Sequence, residues 1–167
     1  MIGGARHRVG QFWRHSAGRV HPDESARAAA VLGPDLYALF AALPRNERRH
    51  GLDVLATVDR QDPNAERLLR QAALLHDMGK ARAGLSIADR SAAVFLQALA
   101  PVLLRVYLGL RPGLRHRYGL YREHAMIGAE RLREAGAVEL AAIVAEHHRA
   151  VPSHPLTARL KQADERN

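Results

Sequence analysis

The stretch Ala72-Ala73-Leu74-Leu75-His76-Asp77-Met78-Gly79-Lys80 decides how this chain is interpreted. Small and apolar residues that favour a buried helix run directly into His76 and Asp77, so an imidazole and a carboxylate should stand side by side at a buried helix end. Buried polar groups need a partner, and for this pair the usual partners are a metal ion or an opposite charge. We expect Gly79 to take the left-handed conformation that closes a helix, which lets Lys80 turn back over the pair.

The composition predicts an all-α protein. The chain has 167 residues, of which 47% are apolar and only 5% are aromatic. Ala, Leu, Arg and Glu are good helix formers, whereas alternating runs of Val, Ile and Thr are scarce. The length favours a single helical domain over residues 23–167, preceded by a basic N-terminal arm over residues 1–22. Because the chain has no cysteine, any metal must be held by His and carboxylate, and a cytoplasmic location is expected.

The chain is basic, with 25 Lys and Arg against 17 Asp and Glu, a net charge of +8. Such a surface attracts phosphates, nucleic acid or anionic lipid, although a GC-rich coding bias also produces Arg-rich proteins. The charge alone leaves both explanations open, and a small phosphorylated partner, favoured ahead of nucleic acid, is expected only from the family resemblance described below. The most apolar window, Ala92 to Leu110, is interrupted by Gln97, Pro101 and Arg105, so we expect no transmembrane segment.

Periodicity and helix-ending signals divide the chain into helices and short links. The first predicted helix runs from Asp23 to Leu32, and after a break at Gly33-Pro34-Asp35 a second has the apolar face Leu36, Leu39, Phe40 and Leu43. The others run from Pro44 to Gln61, Ala65 to Met78, Ala88 to Leu108 with a bend at Pro101, Glu123 onward, Val138 to Arg149, and Leu156 to Glu165. Ala81 to Ser86 is predicted as a basic loop and Arg115 to Tyr118 as a basic link. The long apolar helix Ala88 to Leu108 could belong to the core, form a homodimer interface or face a membrane.

The candidate metal ligands are histidines and aspartates that lie on or at the end of a predicted helix, beside apolar residues. They are His50, His76, Asp77, His124, His147, His148 and Asp164. A helical bundle can direct ligands from several helices into one pocket, and neutral imidazole with carboxylate suits iron, manganese, zinc or another first-row ion. Two ions would need a shared carboxylate, for which Asp77 is the natural bridge. The alternative is a set of unrelated polar residues.

Several motifs resemble those of one known family. The stretch Leu74 to Lys80 resembles the signature of the HD-domain metal-dependent phosphohydrolases. Glu123 to Leu132 is similar to the His-x-x-x-Gly-x-x-x-Leu helix of the branch that includes the HD-GYP phosphodiesterases, and Ile143 to His148 resembles the double-histidine helix of that branch. Leu160 to Asp164 resembles the final Ala-Asp of the superfamily, and His50 takes the place of its first histidine.

The resemblance, which covers about Arg45 to Asp164, implies a fold and a set of residue roles. The fold is an HD-type helical bundle with the long apolar helix inserted between motifs. One metal would be held by His50, His76, Asp77 and Asp164, and a second by Asp77, His124 and His147. His148 would reach the second ion, bind substrate or serve a third metal. The catalytic residues would be Asp77 and Lys80, with Lys80 holding a substrate phosphate oxygen, and Arg82, Arg122 and Arg149 could hold further phosphates.

The expected activity is hydrolysis of a nucleotide or other phosphate ester by a hydroxide bridging two divalent ions. Iron or manganese is expected first, with zinc, nickel, cobalt and magnesium as alternatives. No Gly-Tyr-Pro follows His148, so cleavage of cyclic di-GMP is not expected. Two alternatives stay open. The same ligand set resembles the mixed-valent di-iron oxygenases, and the apolar helix is compatible with a non-catalytic binding or assembly module that keeps the metal for stability.

Overall fold

The structure is a computed structural model that describes residues 18–167, apart from the side chain of Ile87. Within this range there are helices and connecting turns and no strand, which confirms the all-α fold. The described helices are α1 (Pro22–Leu32), α2 (Pro34–Ala41), α3 (Arg45–Gln61), α4 (Arg67–Leu75), α5 (Lys80–Ala83), α6 (Ile87–Leu99), α7 (Pro101–Gly109), α8 (Pro112–Arg122), α9 (His124–Glu134), α10 (Val138–Ala145) and α11 (Pro155–Asp164).

Helix α4 lies at the centre of the main core. It packs against α1, α3, α10 and α11. Its buried residues are Leu69, Ala72, Ala73, Leu74 and Leu75. Burying one such leucine contributes about 1.5–3 kcal/mol, and the alanines allow neighbouring helices to come close. The end of this helix, where the candidate ligands begin, is therefore held from several sides.

The chain leaves α4 earlier than the sequence suggested. The helix ends at Leu75, and residues 76–79 form turns rather than the predicted continuation to Met78. Gly79 has φ −66° and ψ −21°, so the left-handed conformation expected for it was wrong. A glycine is needed there for a different reason: a Cβ atom on Gly79 would lie 2.0 Å from the carbonyl oxygen of His124. The turn and the start of α9 are in backbone contact.

The segment between Lys80 and His124 forms a helical insertion. The single bent helix predicted for Ala88 to Leu108 was wrong, because α6 ends at Leu99 and α7 begins at Pro101. Proline disfavours helical geometry in the residue before it, and Ala100 is accordingly non-helical at φ −150° and ψ 66°. The two helices pack on each other, and α7 packs on α8. Ala93, Leu104 and Leu108 form a small second core here.

Two predicted irregular segments are helical. The basic loop predicted from Ala81 to Ser86 begins with the short helix α5, and the basic link predicted from Arg115 to Tyr118 lies inside α8. Pro112 occupies the first turn of α8, where a missing N–H costs nothing. The stretch from Arg111 to Gly113 therefore starts α8 shortly after the end of α7. The insertion therefore returns to the main bundle as a helix that leads directly to His124.

The proposed domain boundary lies at the edge of the described chain. Of the predicted basic arm over residues 1–22, residues 1–17 lie outside the described residues, and the division into an arm and a domain over 23–167 stays a prediction. No helix within residues 18–167 is long and apolar enough to cross a membrane.

Candidate metal centre

The candidate ligands arrive from five places in the fold. His50 lies on α3, His76 and Asp77 form the turn after α4, and His124 is the first residue of α9. His147 and His148 follow α10, and Asp164 is the last residue of α11. All of these side chains are brought together, in two groups whose ligand atoms lie within 4.8 Å of one another. The groups are Asp77, His124, His147, His148 and His50, His76, Asp164.

Close backbone contacts explain why helices distant in sequence converge here. A Cβ atom on Gly51 would lie 2.7 Å from the carbonyl oxygen of Leu74, so α3 and α4 touch where each carries a ligand. The imidazoles of His50 and His76 consequently lie with their ring centroids 5.1 Å apart. The backbone contact of Gly79 with α9 likewise brings His124 close to the turn that carries His76 and Asp77.

Asp77 lies between the two groups. Its Oδ2 is 3.4 Å from Nε2 of His50 and 3.5 Å from Nε2 of His76. Its Oδ1 is 3.1 Å from Nε2 of His124 and 3.7 Å from Nε2 of His147. Each carboxylate oxygen thus faces a different pair of imidazoles, which is the arrangement of a bridging ligand.

Asp164 completes the first group. Its Oδ1 is 3.0 Å from Nε2 of His50 and 3.5 Å from Nε2 of His76. His148 completes the second group from a more open position, since the residue is exposed but its Nε2 lies 3.0 Å from Nε2 of His124. The first group is therefore closed by an acid, and the second group is open toward solvent at His148.

Backbone carbonyls set the tautomer of three of the histidines. Nδ1 of His76 lies 3.1 Å from the oxygen of Ala73, Nδ1 of His124 lies 2.6 Å from that of Tyr121, and Nδ1 of His147 lies 2.7 Å from that of Val144. A ring nitrogen that faces a carbonyl oxygen must donate its hydrogen, which leaves Nε2 of a neutral ring as a lone pair. The lone pairs then point into the cluster, as in the outer hydrogen bonds of metal-ligating histidines.

The cluster holds buried polar atoms that have no hydrogen-bond partner in the described structure. They are Nε2 of His76, Nε2 of His147 and Oδ1 of Asp77. Leaving such an atom buried and unpaired costs about 1–3 kcal/mol, so several together need an explanation. Imidazole lone pairs and carboxylate oxygens are all acceptors, and a cation held within each group would satisfy them. The donor set therefore fits divalent metal ions of the first transition row.

The charges of the cluster agree with this interpretation. Burial alone would raise the pKa of Asp77, but Lys80 and the surrounding imidazoles hold that pKa well below its usual range. Burial alone would also raise the pKa of Asp164, but the adjacent imidazoles of His50 and His76 outweigh it and lower that pKa. Both acids are ionised at neutral pH, so the cluster carries two negative charges in a small buried volume.

The histidines differ in how readily they take up a proton. Burial lowers the pKa of His76, but the carboxylates of Asp77 and Asp164 outweigh it and raise that pKa to about 9. Burial together with the neighbouring imidazoles lowers the pKa of His148 to about 4, and burial lowers the pKa of His147. Without a metal, His76 is therefore protonated at neutral pH, whereas His148 is neutral.

Lys80 turns back over the cluster, as the sequence suggested. Its Nζ donates to Oδ2 of Asp77, and the Asp77 charge raises the pKa of Lys80 although burial opposes it. The ammonium also lies 5.9 Å from the centroid of the Tyr121 ring. Lys80 is therefore a permanently charged group at the edge of the centre.

Arg90, Glu47 and Tyr121 are neighbours of the centre that sequence reasoning missed. Nη1 of Arg90, on the inserted helix α6, lies 2.7 Å from Oε1 of Glu47, which is buried on α3 one turn before His50. The Arg90 guanidinium is also 5.3 Å from the centroid of the Tyr121 ring, the same ring that Lys80 approaches. The helical spacing of Glu47 and His50 was a usable signal, but nothing local connects Arg90 to either.

The three arginines predicted as phosphate ligands are all exposed. Within residues 18–167, Arg82, Arg122 and Arg149 form no hydrogen bond or ion pair with the cluster. Nη1 of Arg149 lies 2.5 Å from Oε1 of Glu146. Arg82 lines a surface groove of about 640 Å³ between α5 and α9, together with Glu130 and Arg131. Their roles in substrate binding stay predictions.

Comparison with known proteins agrees with the motifs and the geometry. A family model described as the HD domain matches residues 20–166, a range that includes every candidate ligand. Neither a search of curated proteins nor a search of solved structures gave a match. Since the family model covers most of the chain and the family binds divalent metals, we conclude that this chain belongs to the HD domain family.

Proposed function

We propose that the protein is a metal-dependent phosphohydrolase that acts on a nucleotide or another phosphate ester and holds two divalent ions. The observation that carries this proposal is the position of Asp77, whose two oxygens face different pairs of imidazoles. Membership of the HD domain family supports the hydrolase class. The substrate and the number of ions go beyond family membership and are part of the proposal.

The ligand sets follow from the two groups. His50, His76, Asp77 and Asp164 would hold one ion, and Asp77, His124 and His147 the other, with His148 adjacent. Oxygen and nitrogen donors of this kind suit iron or manganese, and they also accept zinc, nickel or cobalt. When bound, the ions would supply Lewis-acid charge and lower the pKa of a water molecule that attacks phosphorus in line.

Lys80 would orient the substrate. Its ammonium is charged, sits at the edge of the cluster and is held there by Asp77. A phosphoryl oxygen that approaches the centre would replace part of this ion pair, so Lys80 could stabilise the negative charge that develops in the transition state. The hydrogen bond from Lys80 to Asp77 holds the ammonium in place before the substrate binds.

Arg90 provides a second positive group beside the same ring. Its guanidinium is already tied to Glu47, which fixes its position, and it retains further donors for an anion. A substrate with more than one phosphate, such as a nucleotide, would use Lys80 for the reacting group and Arg90 for a neighbouring one. This arrangement supports a nucleotide rather than a simple monoester.

The deciding experiment combines metal analysis with a substrate screen. The protein purified with manganese should contain close to two ions per chain and hydrolyse at least one member of a panel of nucleotides and phosphodiesters. Asp77→Ala should lose metal and turnover together, whereas Asp35→Asn, at an exposed acid outside the cluster, should lose neither. Full activity in Asp77→Ala would end the proposal.

The same preparation separates the alternative activities. Two ions per chain, no phosphate ester hydrolysed and oxygen consumed by the iron-loaded protein would favour the di-iron oxygenase. Bound metal that raises the melting temperature, with neither activity, would favour the non-catalytic module.

Arg90→Ala tests the position of the substrate. If Arg90 binds a second phosphate, KM should rise about tenfold for a nucleoside triphosphate with little change in kcat, because the interaction is the same in ground and transition states. Arg105→Ala, at an exposed arginine of the same insertion, is the matched control. An equal KM for wild type and Arg90→Ala would remove Arg90 from the site.

A further inference from the structure

The helical insertion carries large apolar side chains that stay more than half exposed in the described structure. Most of the large hydrophobic side chains that are more than half exposed within residues 18–167 lie on α6, on α7 or directly after α7, with exposures between 54% and 78%. We name this set the insertion face; it consists of Val94, Phe95, Leu99, Val102, Leu103, Val106 and Leu110. Such a cluster exceeds the scattered exposed hydrophobics of ordinary protein surfaces.

The insertion face is not needed to hold the insertion together. The opposite sides of α6 and α7 already pack in the small core of Ala93, Leu104 and Leu108, with Tyr107 and Leu114 against it. Helices α6 and α7 are therefore apolar on both sides. This pattern is typical of helices that are covered on both sides. Whatever covers the insertion face comes from outside residues 18–167.

All charged residues between positions 90 and 122 are arginines. Residues 90–122 contain no Asp or Glu and six arginines, at positions 90, 105, 111, 115, 117 and 122. Arg105 is exposed between Val102 and Val106, and Arg111 follows Leu110. Within the described part of the chain, no carboxylate forms an ion pair with Arg105, Arg115 or Arg117. Arg105 and Arg111 thus form a positively charged rim beside the exposed apolar side chains.

We propose that the insertion face docks on an anionic lipid surface, with α6 and α7 lying in the plane of the interface. Apolar side chains would enter the boundary between headgroups and acyl chains while the arginines meet lipid phosphates, which is the pattern of an interfacial helix. A second copy fits less well, because two arginine-rich rims would approach each other without an acid to pair. The short helices α6 and α7 can lie on a membrane but do not span it.

The test is sedimentation with vesicles, which needs no substrate and so does not depend on the proposed activity. Wild-type protein should bind vesicles of equal parts phosphatidylglycerol and phosphatidylcholine, and should bind pure phosphatidylcholine vesicles on the order of tenfold more weakly. The triple variant Phe95→Ser, Leu99→Ser and Leu103→Ser should lose binding by a similar factor. The double variant Arg105→Glu and Arg115→Glu should also lose vesicle binding by a similar factor.

The control removes exposed hydrophobics elsewhere. Val138→Ser with Val151→Ser changes side chains of similar exposure outside the insertion and should bind like wild type. All variants should keep the wild-type circular dichroism and metal content, because the changed side chains are exposed and none is a candidate ligand. Unchanged vesicle binding in the triple serine variant would overturn the proposal. So would a stable dimer in analytical ultracentrifugation that the serine variant dissociates, together with no binding to vesicles.

Discussion

Asp77 shows at the scale of one residue how the chain builds a site with two halves. Its two oxygens face different imidazole pairs, and each half also has ligands of its own, such as Asp164 in one half and His124 in the other. A carboxylate shared in this way makes both halves depend on it, whereas Asp164 and His124 act on one half each.

This division predicts different metal contents for two single variants. Asp164→Ala should reduce the metal-to-protein ratio from about two to about one by emptying the half that contains His50, and His124→Gln should empty the other half. Elemental analysis of the purified proteins measures the ratio. Glu165→Gln, at the exposed acid next to Asp164, should keep both ions. Two ions retained in both ligand variants would contradict the assignment.

The raised pKa of His76 predicts how the metal-free protein responds to pH. With a pKa of about 9 in the folded state against 6.5 for an ordinary histidine, the folded protein binds this proton more tightly than the unfolded chain. That stabilisation is complete below pH 6.5 and is lost as the pH rises through about 9, by on the order of 3 kcal/mol.

Urea unfolding of chelator-treated protein between pH 6 and pH 9.5 measures the effect. The free energy of unfolding should fall across this range for wild type and much less for His76→Asn. In the metal-loaded protein the fall should be small, because an ion takes the place of the proton. A metal-free protein that becomes more stable between pH 6.5 and pH 9 would contradict the pKa assigned to His76.

At the scale of elements, the turn after α4 is the structural centre of the site. It presents His76 and Asp77, and its last residue, Gly79, lies against the first turn of α9. A Cβ atom at position 79 would be 2.0 Å from the His124 carbonyl oxygen and 2.9 Å from the backbone nitrogen of Gly128. Backbone atoms inside a helix cannot give way cheaply, so the gap between turn and helix admits only glycine.

Gly79→Ala should therefore destabilise the protein by about 3 kcal/mol and weaken metal binding, because α9 must move and His124 with it. Gly119→Ala is the matched control: it lies inside α8 with no atom within 4 Å of its added methyl group, and it should change stability by less than about 1 kcal/mol, toward higher stability. Thermal unfolding and metal titration of both variants check the prediction. Equal stability of the two would show that the turn and α9 do not touch.

At the scale of the whole molecule, the centre ties the bundle together. The ligands come from α3, from α9 and α11 and from the turns after α4 and α10, so a bound ion links segments between His50 and Asp164. The main core already joins most of these helices, and metal binding adds to that stability without being the source of the fold.

Removing the metal should lower the melting temperature while leaving the helical content intact. An ion present at a hundred times its dissociation constant stabilises the folded state by about 2.7 kcal/mol. Calorimetry and circular dichroism before and after chelation measure the change, and adding manganese back should restore it. A chelated protein that melts at the same temperature as the loaded one would show that the cluster does not hold a metal.

Much of this protein could be predicted from the sequence, because the relevant signals are local. Helix α3 follows the apolar spacing after Pro44, and the candidate ligands mark helices or helix ends where a polar residue interrupts an apolar run. The His76-Asp77 pair and the other quoted motifs indicate the family through their residue types, order and spacing. The absence of cysteine limits the donors to imidazole and carboxylate before any coordinates are known.

Only the tertiary structure decided how these parts meet. The backbone contact that makes Gly79 necessary involves α9, more than forty residues away along the chain. Arg90 reaches Glu47 across forty-three positions, and the insertion face is exposed because nothing in the described chain covers it. Local periodicity reports which residues prefer to be buried, whereas packing among remote helices determines which of them come into contact.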